Sequence, residues 1–182
     1  ALFERAVAGA AGPARDTLLK AAEIYNAAFR EQVSLPGPTG ESNTLRLKGR
    51  GLAVCLGGEE AIMMQVAKAL AAGNAVIAAK DWAAPLAQAL AAAGARGLVA
   101  PILSGFGAAR DALLSDPRVR VVALDAGRSG RLALRSMLAG RKGPICPILT
   151  SLDAPWRYAA ERVLTINTTA AGGDVRLLSQ GD

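Results

Sequence analysis

From Gly51 to Ser151 one unit recurs: a short apolar run, then an Ala- and Leu-rich stretch closed by glycine or a turn residue. "GLAVCLG" leads into "EEAIMMQVAKALAAG", "NAVIAAK" into "APLAQALAAAG", "RGLVAPIL" into "GAARDALLSD" and "RVRVVALD" into "SGRLALRSMLAG", before a closing "GPICPILTS". Continuous apolar runs suit strands covered on both faces. Helical stretches between them imply crossover connections, and hence parallel strands. The pattern predicts an α/β fold, a Rossmann-like parallel sheet with helices on both faces, over about residues 51–154. Pro101 counts against a central position for the third run, and Pro144 with Pro147 place the last at an edge, because proline cannot donate to a ladder.

The flanks read differently. Pro13 suits a first helical turn, and Leu18, Ala22, Tyr25 and Phe29 recur at helical spacing, which predicts a helix over 13–33. "SLPGPTGESN" reads as a connector, and "TLRLKGR" alternates as an exposed strand of the kind that pairs with a partner. Near the end, Val163 to Ile166 form a β-branched run able to add to a sheet edge. Asn167, Thr168 and Thr169 offer short donors and acceptors. Ala170, Ala171, Gly172 and Gly173 have almost no side chain, so their backbone can approach another surface closely. The plainer alternative is a terminal strand and turn packed on their own domain. Trp156 and Tyr158 upstream read as anchors, either in the core or at an interface.

Composition narrows the chemistry. The chain is 52% apolar, as expected of a folded protein. No apolar run approaches the roughly 20 residues of a membrane span. The opening "ALFERAVAGAAGPARD" lacks the layout of a signal peptide, and the missing initiator methionine sets the expectation of a fragment. Cys55 and Cys146 lie in apolar runs, which predicts reduced, buried thiols in a cytoplasmic protein. There is no histidine, which removes Ser-His-Asp and Cys-His pairs and histidine metal sites. Two cysteines are too few for a structural zinc site, so no metal is expected. The net charge of +6 raises nucleic acid as a partner. Arg128, Arg131 and Arg135 would share a helix stripe, yet only 4% of residues are aromatic. With no stacking platform for single strands, the solvated-face reading is preferred.

A dinucleotide fingerprint should follow a strand and open a helix. Its nearest match is "GFGAAR", which makes Gly105 and Gly107 weak cofactor-binding candidates. Arg110 stands where close helix packing wants a small residue, so a plain tight turn is preferred. At "LGGEEA", Glu59 and Glu60 suit a helix N-terminus but repel phosphate. Asp125, at a strand end with no paired acid or base, reads as a cap or turn residue.

The order "AKALAAGNAVIAAK", "DPRVRVVALDAG", "RKGPICPI" resembles the cofactor domain of the aldehyde dehydrogenase superfamily. The family's Lys-Pro-x-Glu positions read Ala79, Lys80, Asp81 and Trp82, without the ribose-binding glutamate. Its Phe-Thr-Gly-Ser strand end reads Leu124, Asp125, Ala126 and Gly127. The glutamate before Gly-Gly and the Gly-Gln-x-Cys nucleophile are absent. "LPGPTGESNTLRL" and "LTINTTAAGGDVRLL" resemble segments of the proline utilization A family, in which a bifunctional flavoenzyme oxidises proline to pyrroline-5-carboxylate and then to glutamate. After Gly-Gly, family members often have Asn-Ala-x-Leu, whereas this chain has Asp174, Val175, Arg176 and Leu177.

The resemblance implies a degenerate aldehyde-dehydrogenase-like C-terminal domain without activity or cofactor of its own, in a parent that uses FAD and NAD. It implies a division into an N-terminal helical segment (1–36), a connector and flap strand (37–50), the Rossmann-like domain (51–154), and a second flap strand with the tail (155–182). It also implies that Asn167, Thr168, Thr169, Ala170, Ala171, Gly172 and Gly173 cover the neighbouring aldehyde dehydrogenase active site and its channel. The partner would be the parent's catalytic aldehyde dehydrogenase domain, in cis or in trans, and the flap strands could also pair copies into a homo-oligomer. A domain that retains NAD in the old cleft is the first alternative, and a nucleic-acid-binding module the second.

Overall fold

The computed structural model describes residues 2–38, 40–78, 80–101 and 106–167. Helices α1 (Leu2–Ala8) and α2 (Gly12–Ala28) come first, followed by strands β1 (Val33–Leu35), β2 (Glu41–Gly49) and β3 (Leu52–Cys55). Alternation then begins: α3 (Glu59–Ala71), β4 (Ala75–Ala78), α4 (Ala83–Ala92), β5 (Val99–Pro101), α5 (Phe106–Ser115), β6 (Val119–Ala123), α6 (Arg128–Ala139) and β7 (Ile148–Leu149). A 3-10 turn, Pro155–Tyr158, feeds the long strand β8 (Ala159–Asn167).

Strands β3 to β7 form one sheet in the order β5-β4-β3-β6-β7, and every neighbouring pair is parallel. This is the expected Rossmann-like architecture, with β5, which ends on Pro101, and β7, which follows Pro147, at its edges. Period-two alternation divides the core between the two faces. Ala53, Cys55, Val121 and Ala123 face a cluster built with α1 to α4, including Leu18, Val66, Leu86 and Leu90. Val54 and Val122 point the other way, against Leu114 of α5 and Leu134 and Leu138 of α6.

A second, three-stranded antiparallel sheet runs in the order β1-β2-β8. The expected strand at 44–50 is present as the longer β2, and the β-branched terminal run is the outer part of β8, paired along β2 from Gly49–Ala159 to Glu41–Asn167.

Three local expectations change. α2 ends at Ala28, where the Phe29 amide still donates to the Tyr25 carbonyl, rather than at residue 33. Val33, expected in the helix, and Ser34 and Leu35, expected in the connector, instead pair with β2, a long-range contact that local periodicity does not report. Within the N-terminal helical segment, α1 is a separate helix ahead of the one expected from Pro13; it packs on α2 and α4, with Phe3 edge-on to Tyr25 at 6.3 Å between ring centres. Cys55 is fully buried as expected, and desolvation pushes its thiol far up. Cys146, by contrast, is only half-buried, because it precedes β7, which has no strand beyond it among the described residues.

Candidate docking surface

At the carboxyl ends of the parallel strands, where an open α/β sheet ordinarily takes its ligand, this chain is tied to itself. The side chain of Gln65, buried on α3, accepts from the Gly57 amide at 3.1 Å and donates to the Asp125 carboxylate. Asp125 also accepts from the Ser151 amide (2.9 Å) and hydroxyl (3.0 Å). It therefore clamps the loop after β7 to α3, whereas the cap position of α6 is Gly127. Lys68, one helical turn from Gln65, donates to the carbonyls of Ser151 (2.5 Å) and Asp153 (2.6 Å). Burial pulls its ammonium below the ordinary lysine range, against the opposing fields of Asp153 and Asp125. Burial pushes the Asp153 carboxyl up, but bonds from Thr150 and Arg157 outweigh this and leave it below the usual range.

A dinucleotide does not fit this arrangement at the β3–α3 turn. The Gly57 amide that a phosphate would use is already bonded to Gln65, and a Cβ on Gly57 would lie only 2.8 Å from the Ile62 nitrogen. Glu59 and Glu60 open α3, as expected for acids at a helix N-terminus. Gly107 lies in the first turn of α5, while Gly105 falls outside the described residues. Lys80 and Asp81 occupy the bend after β4, and Trp82, at the ribose-binding position, packs instead against the larger core cluster.

The flap sheet is the opposite case. β2 and β8 are each nine residues long, about 30 Å when extended. From Glu161 to Asn167 every residue of β8 is exposed. Residues opposite each other in an antiparallel pair share a face. One face thus carries Val33, Leu45 and Val163 in a row, with Val33 53% and Val163 58% exposed. The other carries Leu164 opposite Thr44 and Ile166 opposite Ser42, and nearer the root it sets Arg46 directly against Arg162. The outer edge of β8 has no strand beside it among the described residues. Trp156, 60% exposed, stands at the flap root beside a hollow of about 360 Å³ lined by Leu47, Arg50 and Glu161. Tyr158 goes the other way: it is wholly buried, and its hydroxyl donates to the Thr150 carbonyl at 3.2 Å.

Asn74 fixes the flap to the body, a role that sequence reasoning did not assign. Its Oδ1 accepts from the Gly51 amide at 3.0 Å, at the corner between β2 and β3. Its Nδ2 donates to the carbonyls of Ala69 and Tyr158, each at 3.0 Å, the latter just before β8. Both flap roots are therefore held by one amide, and the Arg50 Nε–Arg157 carbonyl bond adds a second tie. The signal was the "AAGN" helix end, where a buried asparagine follows a left-handed glycine, Gly73, with φ of 86°. Asn167 ends β8, and Thr168, Thr169, Ala170, Ala171, Gly172 and Gly173 lie outside the described residues.

Set beside solved structures, this fold is that of an aldehyde-dehydrogenase-type Rossmann domain. The NAD-dependent benzaldehyde dehydrogenase of Corynebacterium glutamicum shares it with a TM-score of 0.55 over 75% of this chain and 31% of its own, at 16% identity. The likeness is more particular to one group: the chain is similar in sequence as well as in fold to one segment of proline utilization A proteins. A bifunctional proline utilization A protein matches at 31% identity and a TM-score of 0.61, over 75% of this chain and 15% of its own. A variant of the Bradyrhizobium japonicum proline utilization A matches at 28% identity and the same TM-score, over 80% of this chain and 17% of its own. The chain therefore spans only about one sixth of the length of these relatives. No protein-family model matches it, and no curated protein does. No helix among the described residues is long and apolar enough to cross a membrane.

Proposed function

We propose that this chain is a non-catalytic domain of a proline utilization A polypeptide, acting in the oxidation of proline to glutamate. Its flap docks on the catalytic aldehyde dehydrogenase domain and carries residues 167–173 over that domain's active site and substrate channel, excluding water and retaining the intermediate. The observation that carries this reading is the flap itself. A three-stranded sheet exposed on both faces is marginal alone and is stabilised by a covering surface. The flap offers such a surface apolar side chains on each face and, among the described residues, an unpaired β8 edge. The Arg46–Arg162 opposition is unfavourable in isolation and is relieved by an acidic partner.

In this proposal FAD and NAD serve the parent's catalytic domains, and this domain binds neither. Calorimetric titration of the chain with NAD is expected to show no saturable heat; a Kd in the micromolar range would contradict the fit described at Gly57. Docking is tested separately by amide exchange along β8. The amides that do not pair with β2 should exchange freely in the isolated chain and slow at least ten-fold, about 1.4 kcal/mol, in the whole polypeptide. Equal exchange in both would sink the docked flap.

A further inference from the structure

We propose that a pocket between the C-terminal half of α6 and strand β7 binds a small molecule bearing an oxyanion, a carboxylate or a phosphate. The pocket lies along the free edge of the parallel sheet, away from the strand-end crevice, and has a cavity volume of about 560 Å³, within the range of small-molecule sites. Three guanidinium groups from three places in the chain line it: Arg135 on α6, Arg141 just beyond that helix, and Arg157 on the 3-10 turn. None of the residues lining it is acidic.

The three arginines are not equally committed. Arg141 is held in place through Nη2, which donates to the carbonyls of Asp116 (2.9 Å) and Val119 (2.8 Å), while its Nε and Nη1 are shut from solvent near the half-buried Cys146 thiol. The nearby Asp116 carboxylate is taken by Arg118, with Nη2 at 2.7 Å and Nε at 3.0 Å. Arg141 thus acts on the pocket as a fixed positive charge and not as a hydrogen-bond donor. Arg157 gives one nitrogen to Asp153 and has two left. Arg135 is exposed on the wall. Arg135 and Arg157 supply the accessible donors, and guanidinium groups favour planar oxyanions through paired, charge-assisted bonds. The remaining wall, Leu138, Pro147 and Ile148, is apolar and suits a short carbon skeleton. The inference stands apart from the docking proposal, since removing residues 163–182 leaves every pocket residue in place.

The test is thermal unfolding and calorimetric titration of the 182-residue chain with inorganic phosphate and, separately, citrate, against potassium chloride at matched ionic strength. A saturable rise in melting temperature with either oxyanion, absent with chloride, is expected; phosphate alone would assign a phosphoryl ligand and citrate alone a carboxylate. Arg135→Gln, on an exposed wall where folding does not depend on it, should weaken the apparent affinity about ten-fold or more. A response that only follows ionic strength, or one identical in the Arg135→Gln and Arg157→Gln variants, would overturn the proposal.

Discussion

Replacing Asn74 by alanine is expected to cost about 3–5 kcal/mol of unfolding free energy, read as a lowered denaturant midpoint at unchanged slope. The side chain is 1% exposed and makes three hydrogen bonds, to the Gly51 amide and to the Ala69 and Tyr158 carbonyls. Alanine removes all three; the Ala69 carbonyl keeps the residue-74 amide at 2.9 Å, but the Gly51 amide and the carbonyl of the buried Tyr158 lose this partner. Aspartate would keep the acceptor, lose both donors and bury a charge, so it should be no better. The same corner has no slack. A Cβ on Gly49 would sit 2.4 Å from the Gly73 carbonyl oxygen, which is backbone and cannot swing aside. Because Asn74 joins the corner between β2 and β3 to the residue just before β8, its loss should also free the flap. A midpoint within the range of an ordinary surface substitution would show that the flap roots are held some other way.

Much of this was legible in the sequence because the pattern was redundant. From Leu52 to Leu149 short apolar strands alternate with helices, and Pro101 and Pro147, in or just before the two outer strands, match their edge positions. Elements that depend on distant pairing were not legible. Val33–Leu35 is a strand only because Leu45, Thr44 and Asn43 lie opposite it. α1 did leave a trace, since Phe3, Ala6, Val7 and Ala10 repeat at helical spacing and join the larger core cluster, but the glycines around them masked it. The strand-end crevice was half-legible. Glu59, Glu60 and the displaced lysine argued against phosphate, whereas the Gln65–Asp125–Ser151 clamp needs three segments brought together, and no local motif announces it. Trp156 and Tyr158 share one sequence signal, and only the tertiary structure separates the exposed ring from the buried one.

The second large effect concerns the neighbour and not this domain's own stability. If the flap and tail cover a dehydrogenase active site, their loss leaves the flavin half-reaction alone and exposes the aldehyde step to solvent. Proximity and exclusion of water are sensitive to small displacements, so the expected loss is about ten-fold or more in aldehyde oxidation. A milder variant separates docking from folding. Leu164→Asp with Ile166→Asp keeps the β8 backbone and changes only exposed side chains, each 51% accessible. It should leave the midpoint of this domain within about 0.5 kcal/mol while lowering aldehyde oxidation. The most direct measurement removes residues 163–182 from the full bifunctional polypeptide and assays both half-reactions and their coupling. Proline oxidation should persist while aldehyde oxidation and transfer of the intermediate fall together; unchanged coupled activity would contradict the proposal that this domain is a lid.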